Sequence, residues 1–166
     1  MVLLLMQIHL SILILIEWRN NMEYKLTMNE LCAKDYLRLR ESTGWGTQPD
    51  VQQVEAGLKN TLLSVTAVQN EKVIGMGRLV GDLFMICYIQ EVVVLPEYQG
   101  KGVGKAIIEK LLAYISDNAM PNTDVTAGLF AAKGKESLYE KFGFIIRPHT
   151  TGNEGAGMLM TVHSKI

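Results

Sequence analysis

The chain has 166 residues, 48% of them hydrophobic, with 16 Lys and Arg against 17 Asp and Glu and a formal net charge of −1. That length suits a single domain with a full core, and the near-neutral balance, with no basic stretch interleaved with aromatics, leaves no electrostatic case for nucleic acid. Cys32 and Cys87 have neither metal-like spacing nor a disulfide framework, and His9, His149 and His163 are scattered. No metal site and no cysteine or serine nucleophile is therefore expected, and a reduced, cytoplasmic setting fits.

Taken in chain order, residues 1–21 stand apart. They are apolar to Ile16 except at Gln7, His9 and Ser11, and Glu17, Trp18, Arg19, Asn20 and Asn21 follow. The run lacks the positive start and small-residue cleavage site of a signal peptide, and it is shorter than the roughly 20 apolar residues of a membrane span. It is expected to be an extension ahead of a single domain over 22–166 that starts at Met22; a weak membrane anchor is the alternative. Residues 23–28 alternate as a first strand. Residues 33–43 place Tyr36, Leu37, Leu39 and Arg40 at helical spacing, ending at Gly44. A loop holding Trp45 follows, and Asp50 suits the N-cap of a helix over 51–60. Residues 62–68 and 73–80 read as a hairpin, and a turn near Gly81 and Asp82 leads into a long strand over 84–95. A helix over 103–118, a strand over 124–130, a helix over 133–142 and strands over 144–147 and 158–162 complete the pattern.

The chemistry concentrates where the long strand ends. Val92, Val93, Val94 and Leu95 run into Pro96, and Gln99, Gly100, Lys101, Gly102, Val103, Gly104 and Lys105 open the next helix. Glycines there turn the chain tightly and let a ligand approach the amides. The helix start offers unpaired N–H groups and the positive end of a dipole, an anion site suited to a pyrophosphate. Lys101 and Lys105 add charge. The nucleotide-triphosphate loop fails here, since Gln99 replaces its first glycine and Ala106 its magnesium-binding hydroxyl. The dinucleotide fingerprint meets Lys105 where its third glycine belongs.

A third pattern, [QR]-x-x-G-x-[GA], is met in full by Gln99, Gly102 and Gly104. It resembles the acyl-coenzyme A loop of the GNAT superfamily of N-acetyltransferases. Downstream, Tyr139, Gly143 and Phe144 resemble that family's Tyr-x-x-x-Gly-Phe element, and the likeness covers roughly 22–163. The resemblance implies an α/β (α+β) fold: a mixed, mainly antiparallel twisted sheet of six to seven strands flanked by about four helices. It also implies acetyl-CoA as co-substrate, with the pyrophosphate on the loop 99–105 and the pantetheine arm along the main chain of Val92, Val93 and Val94. Tyr139 falls where many relatives carry the tyrosine that protonates the departing sulfur. Trp45 falls in the loop that roofs the acceptor site in relatives, and Tyr88 and Gln90 fall where some place a catalytic Glu or His. Two departures stand out: neither Tyr88 nor Gln90 is a good base, and Ala132 replaces an asparagine that many relatives use to bind the coenzyme.

Glu91 is a carboxylate inside the apolar run of Cys87, Ile89, Val92 and Val93. Such a group is costly to bury unless partnered or functional. It reads as the base, directly or through a water shared with Tyr88 and Gln90, as an outward-facing residue on a half-exposed face, or as an ion-pair partner of Arg78 on the neighbouring strand. The segment from Gly152 to Met158 reads as a flexible second wall of the acceptor site. The expected activity is transfer of the acetyl group of acetyl-CoA to a primary amine of a small molecule, by direct attack in a ternary complex. The alternatives are a protein or peptide N-acetyltransferase and a non-catalytic acyl-CoA-binding module. The partner is then a small-molecule amine, with no nucleic acid and no membrane favoured, and self-association as a homodimer left open.

Overall fold

The computed structural model describes residues 23–147 and 157–163. The apolar extension 1–21 and most of the expected second wall, 152–156, lie outside the described residues. Seven strands form one sheet: β1 (Lys25–Met28), β2 (Leu63–Gln69), β3 (Lys72–Gly81), β4 (Ile86–Val94), β5 (Asp124–Phe130), β6 (Ile145–Ile146) and β7 (Gly157–His163). Their order is β1-β2-β3-β4-β5-β7-β6. Every neighbouring pair is antiparallel except β4 and β5, which run parallel with α3 (Val103–Asn118) as the connection between them. Three further helices among the described residues are α1 (Ala33–Glu41), α2 (Val51–Lys59) and α4 (Glu136–Glu140). The expected mixed, mainly antiparallel sheet with about four helices is the observed architecture.

Two apolar clusters follow from the periodicities. In α3, Val103, Ile107, Ile108, Leu111 and Ile115 form one buried stripe, which packs with Val65, Leu79, Ile89, Val125 and Ala127 of the sheet. In α1, Ala33, Tyr36 and Leu39 repeat every three residues and pack with Val54 of α2 and with Met76, Val93 and Leu95. Asp50 caps α2 as its position suggested. It accepts from the Gln53 N–H at 2.8 Å while the Gln53 side chain accepts from its own N–H at 3.0 Å, a reciprocal cap.

Of the elements that are shorter than the sequence pattern suggests, three have a local reason or place that explains it. The strand expected from residue 84 starts at Ile86, because Asp82 Oδ1 accepts from the N–H groups of Phe84, Met85 and Ile86 and closes a turn there. Those three donors also hold the Asp82 carboxyl below its ordinary range. The helix expected from residue 133 starts at Glu136, after a turn in which the Lys135 N–H reaches the Ala132 carbonyl at 2.9 Å. The strand expected over 144–147 keeps only its central pair, Ile145 and Ile146, on the sheet edge.

Close approach of α3 to the sheet depends on two missing side chains in β3. A Cβ on Gly75 would lie 3.2 Å from Val103 Cγ1 and 3.1 Å from the Val93 carbonyl; one on Gly77 would lie 2.6 Å from Ile107 Cγ2. The second distance is a clash with a branched carbon close to its own backbone, so the helix must move. Gly77→Ala is expected to lower stability by about 1–3 kcal/mol, the usual range for overpacking. Denaturant unfolding measures it, and an unchanged midpoint would show that α3 can shift outward freely.

Candidate active site

The site begins with an irregularity in β4. Arg78 faces Gln90 and Met76 faces Val93 across the β3–β4 ladder, so Gly77 alone stands opposite both Glu91 and Val92. Glu91 has a φ of 55°, the left-handed region that a side chain rarely occupies. This is a β-bulge, which bends the strand and resets the alternation of its faces. Before it, Cys87 and Ile89 belong to the cluster around α3; after it, Val93 belongs to the cluster around α1 and α2. The extra residue lets Gln90 and Glu91 share one cleft, which they line with Tyr36 and Arg40 of α1, Thr47, Gln48 and Pro49 of the connecting loop and Gln53 of α2.

Glu91 is held on three sides. Its Oε1 accepts from Arg40 Nη1 at 3.0 Å and from the Tyr36 hydroxyl, and its Oε2 accepts from Arg78 Nη1 at 3.1 Å. Only 7% of its side chain is exposed, against 21% for Arg40 and 12% for Arg78. The ion pair with Arg78 read from the sequence is therefore present, and Arg40 doubles it. Burial, and then the bond to Glu91, push the Tyr36 phenol up to about 12. The Arg40 guanidinium also lies 6.0 Å from the Trp45 ring, which is partly exposed at the rim. Tyr36, Arg40, Thr47, Gln48, Pro49 and Gln53 carried no assigned role in the sequence. The signals available were an arginine and a tyrosine within the spacing of the buried α1 stripe.

On the other side of β4 the sheet opens. The parallel ladder with β5 covers only Ile86, Cys87 and Tyr88, so the main chain of β4 from Ile89 to Val94 has no strand partner on that side. A single 3-10 turn over Pro96–Tyr98 follows, and Gln99 Nε2 donates back to the Val94 carbonyl at 3.0 Å. Gly100 and Gly102 have φ of 73° and 83°, and open space surrounds the Cβ position of each. The first helical bond of α3 runs from the Ala106 N–H to the Gly102 carbonyl. The N–H groups of Val103, Gly104 and Lys105 are thus the spare donors of the helix start. Lys101 lies 5.5 Å from the Tyr98 ring, and Lys105 pairs with Glu109 at 3.5 Å on the exposed face of α3.

Tyr88 and Tyr139 meet near the point where β4 and β5 part. Tyr88 packs against Phe130 with ring centroids 5.8 Å apart, and Tyr139 meets Phe144 edge-on at 5.9 Å. Tyr139 is 7% exposed. Burial, with Tyr88 close by as a second cause, pushes its phenol up to about 12. The Tyr88 phenol is also raised by burial, partly offset by a main-chain hydrogen bond at Phe130. The structure thus brings Tyr88 and Tyr139 together, and Gln90 with Glu91. The loop 99–105 sits at the end of the same strand. Among the described residues, no three His, Cys, Asp or Glu side chains gather as a metal ion would require, and no helix is long and apolar enough to cross a membrane.

Comparison with known proteins places this geometry. The family described as Acetyltransferase (GNAT) domain matches residues 61–146. The uncharacterized N-acetyltransferase ycf52 of Pyropia yezoensis is 32% identical over 115 residues, 67% of this chain and 63% of that protein. The chain therefore spans just under two thirds of that relative's length. A probable acetyltransferase of unknown function from meticillin-resistant Staphylococcus aureus superposes with a TM-score of 0.68 at 33% identity, over 78% of this chain and 96% of that one. A phosphinothricin acetyltransferase from Sinorhizobium meliloti, in complex with AcCoA, shares the fold with a TM-score of 0.67 at 17% identity, over 87% of this chain and 91% of its own.

The triple anchorage of Glu91 has a measurable consequence. Removing one member of a buried ion pair typically costs about 3–5 kcal/mol, because the partner charge stays buried and unpaired. Glu91→Ala leaves two guanidiniums in that state and is expected to fall in that range by denaturant unfolding. Glu91→Gln keeps an acceptor for Tyr36 and should lose less. Equal, near-zero losses in both would mean that solvent reaches the arginines.

Proposed function

The chain belongs to the GNAT family of acetyltransferases, and we propose that it transfers an acetyl group from acetyl-CoA to a primary amine of a small molecule, by direct attack in a ternary complex. The observation that carries this reading is the meeting of three parts on β4: a free strand edge, a glycine loop opening a helix, and an open cleft lined by Gln90 and Glu91. The residues fit a coenzyme A thioester. Val103, Gly104 and Lys105 offer amide donors to a pyrophosphate at the positive end of α3, and Gly100 and Gly102 leave it room. The unpaired main chain at Val92, Val93 and Val94 can pair with the amides of a pantetheine arm. Lys101 and Lys105 supply charge at the rim.

Acetyl-CoA supplies an activated acetyl thioester. The amine nitrogen forms the new C–N bond as the C–S bond breaks, the sulfur leaves as a thiolate, and the nitrogen releases a proton. Tyr139 is proposed to donate a hydrogen bond to the departing sulfur. Its raised phenol keeps the proton throughout any working range. Both Glu91 oxygens are engaged by cations and a phenol, so we assign Glu91 to holding the cleft wall. The proton from nitrogen passes to solvent beside Gln90 and Tyr88. Trp45, 6.0 Å from the Arg40 guanidinium, is assigned to the outer edge of the acceptor site.

The test is release of coenzyme A thiol from acetyl-CoA across a panel of small amines. Release with at least one amine, and loss of about 10²-fold in kcat in Tyr139→Phe at a nearly unchanged KM for acetyl-CoA, is the expected result. Acetyl-CoA binding without release from any amine favours a binding module instead. Gly104→Val should raise the Kd for acetyl-CoA by about tenfold or more, equivalent to about 1.4 kcal/mol of contact, when measured by calorimetry. An unchanged Kd would move the pyrophosphate off this helix start.

The pH dependence of Tyr139 has a definite sign. A donor must keep its proton, and a pKa raised to about 12 keeps it where an ordinary phenol near 10 would be losing it. The ratio of wild-type to Tyr139→Phe kcat should therefore stay constant up to about pH 10–11. A ratio that collapses toward one near pH 10 would show the phenol titrating at its ordinary value.

A further inference from the structure

Charge on the wall of the cleft narrows the chemistry of the acceptor, an argument that rests on the acetyl transfer proposed above. Arg40 and Arg78 together meet a single carboxylate, Glu91, so the cluster carries one positive charge in excess. Asp50, next in the chain to Pro49, keeps its negative charge but is not among the residues that line the cleft and pairs with neither arginine. Arg40 lines the cleft but commits only Nη1 to Glu91. Its Nε is buried without a partner, and its Nη2 makes no hydrogen bond among the described residues. Nε has no surface open to the cleft, so Nη2, beside it on the same edge of the guanidinium, is the donor that a carboxylate can meet. Glu91 on one side and Trp45 on the other already fix the group, so little side-chain freedom is left to lose on binding.

An alkylamine or polyamine would bring only positive charge to this wall. The remaining polar lining is neutral, from Thr47, Gln48, Gln53 and Gln90. The space is about 430 Å³, toward the small end of the roughly 300–1,000 Å³ typical of small-molecule sites. We propose that the acceptor is a small amino-acid-like amine, a primary amine carrying a carboxylate. Arg40 pairs with the carboxylate through Nη2, and the amine lies toward Gln90 on β4. Arg40 is then the residue that sets specificity, and Glu91 positions it.

The experiment compares matched pairs in the thiol-release assay: α- and ω-amino acids, each against its own carboxamide, with rates expressed per concentration of unprotonated amine. The carboxylate member is expected to show a kcat/KM at least about tenfold higher, the discrimination of one charge-assisted contact. Arg40→Gln should abolish that preference while leaving the KM for acetyl-CoA in place. Arg40→Lys, which keeps the charge but replaces the planar guanidinium with a point charge on a flexible stem, should retain only part of it. Should Arg40→Gln fail to fold, the Arg40→Lys result and the wild-type pairs decide alone. Carboxamides used as well as the acids would overturn the proposal and leave acetyl transfer standing. Acetyl-CoA binding by calorimetry with no release from any pair would also overturn it, while keeping the coenzyme site. Absence of acetyl-CoA binding would remove both readings together.

Discussion

A carboxylate with left-handed backbone, enclosed by two guanidiniums and a phenol, is the interaction on which the geometry of this site depends. A non-glycine residue in that conformation carries a penalty of roughly 1–2 kcal/mol. Here Glu91 sits there because Arg40, Arg78 and Tyr36 all bind its side chain from that position. The same contacts join α1 to β3 and β4. If the carboxylate were drawn elsewhere, the extra residue of the bulge would have no reason to stay at 91. Val92 and Val93 would then exchange faces, and the α3 and α1 clusters would each lose an apolar contact. Local strain and long-range packing are thus one constraint, expressed at two scales.

From this constraint the two halves of the site acquire a common axis. In the proposed reading the acceptor half comes from α1, its loop and α2, and the coenzyme half from the loop 99–105 and α3. Only β4 belongs to both. Its ladder with β5 stops at Tyr88, shortly before the bulge, which is where a bent strand would part from a straight neighbour. Tyr88 and Tyr139 occupy the parting point. Their phenols are both disfavoured as anions by burial, so this point is lined by neutral hydroxyls.

The sequence made some of this legible and hid the rest for physical reasons. The glycine loop was readable because spacing alone specifies a backbone path: Gln99, Gly102 and Gly104 leave few alternatives. Strands β2 and β3 and the Asp50 cap were readable because their determinants are local. The bulge was not. A glutamate in an apolar run looks the same whether it faces out, pairs across the sheet or occupies an inserted position, and the deciding contacts with Tyr36 and Arg40 come from some 50 residues earlier. Arg40 was equally hidden, since helical spacing explained it as part of an amphipathic stripe. Phe84 and Met85 misled in the opposite direction. Their apolar character suggests strand, yet one Asp82 oxygen claims their amides for a turn.

The paired glycines of β3 have a consequence for how this scaffold can change. A side chain on Gly75 would meet Val103 at the very start of α3 and the Val93 carbonyl, while Gly77 faces the bulge and the middle of α3. One strand therefore acts as the gauge for two distances: the height of the phosphate seat above the sheet and the offset of the acceptor wall along it. Moving α3 to admit a bulkier donor would slide both marks together and spoil their alignment. Tolerance for a longer acyl chain must instead come from the gap between β4 and β5, where no ladder fixes the width beyond Tyr88. Tyr88 and Phe130, which pack on each other beside this gap, lie outside the contacts of the gauge.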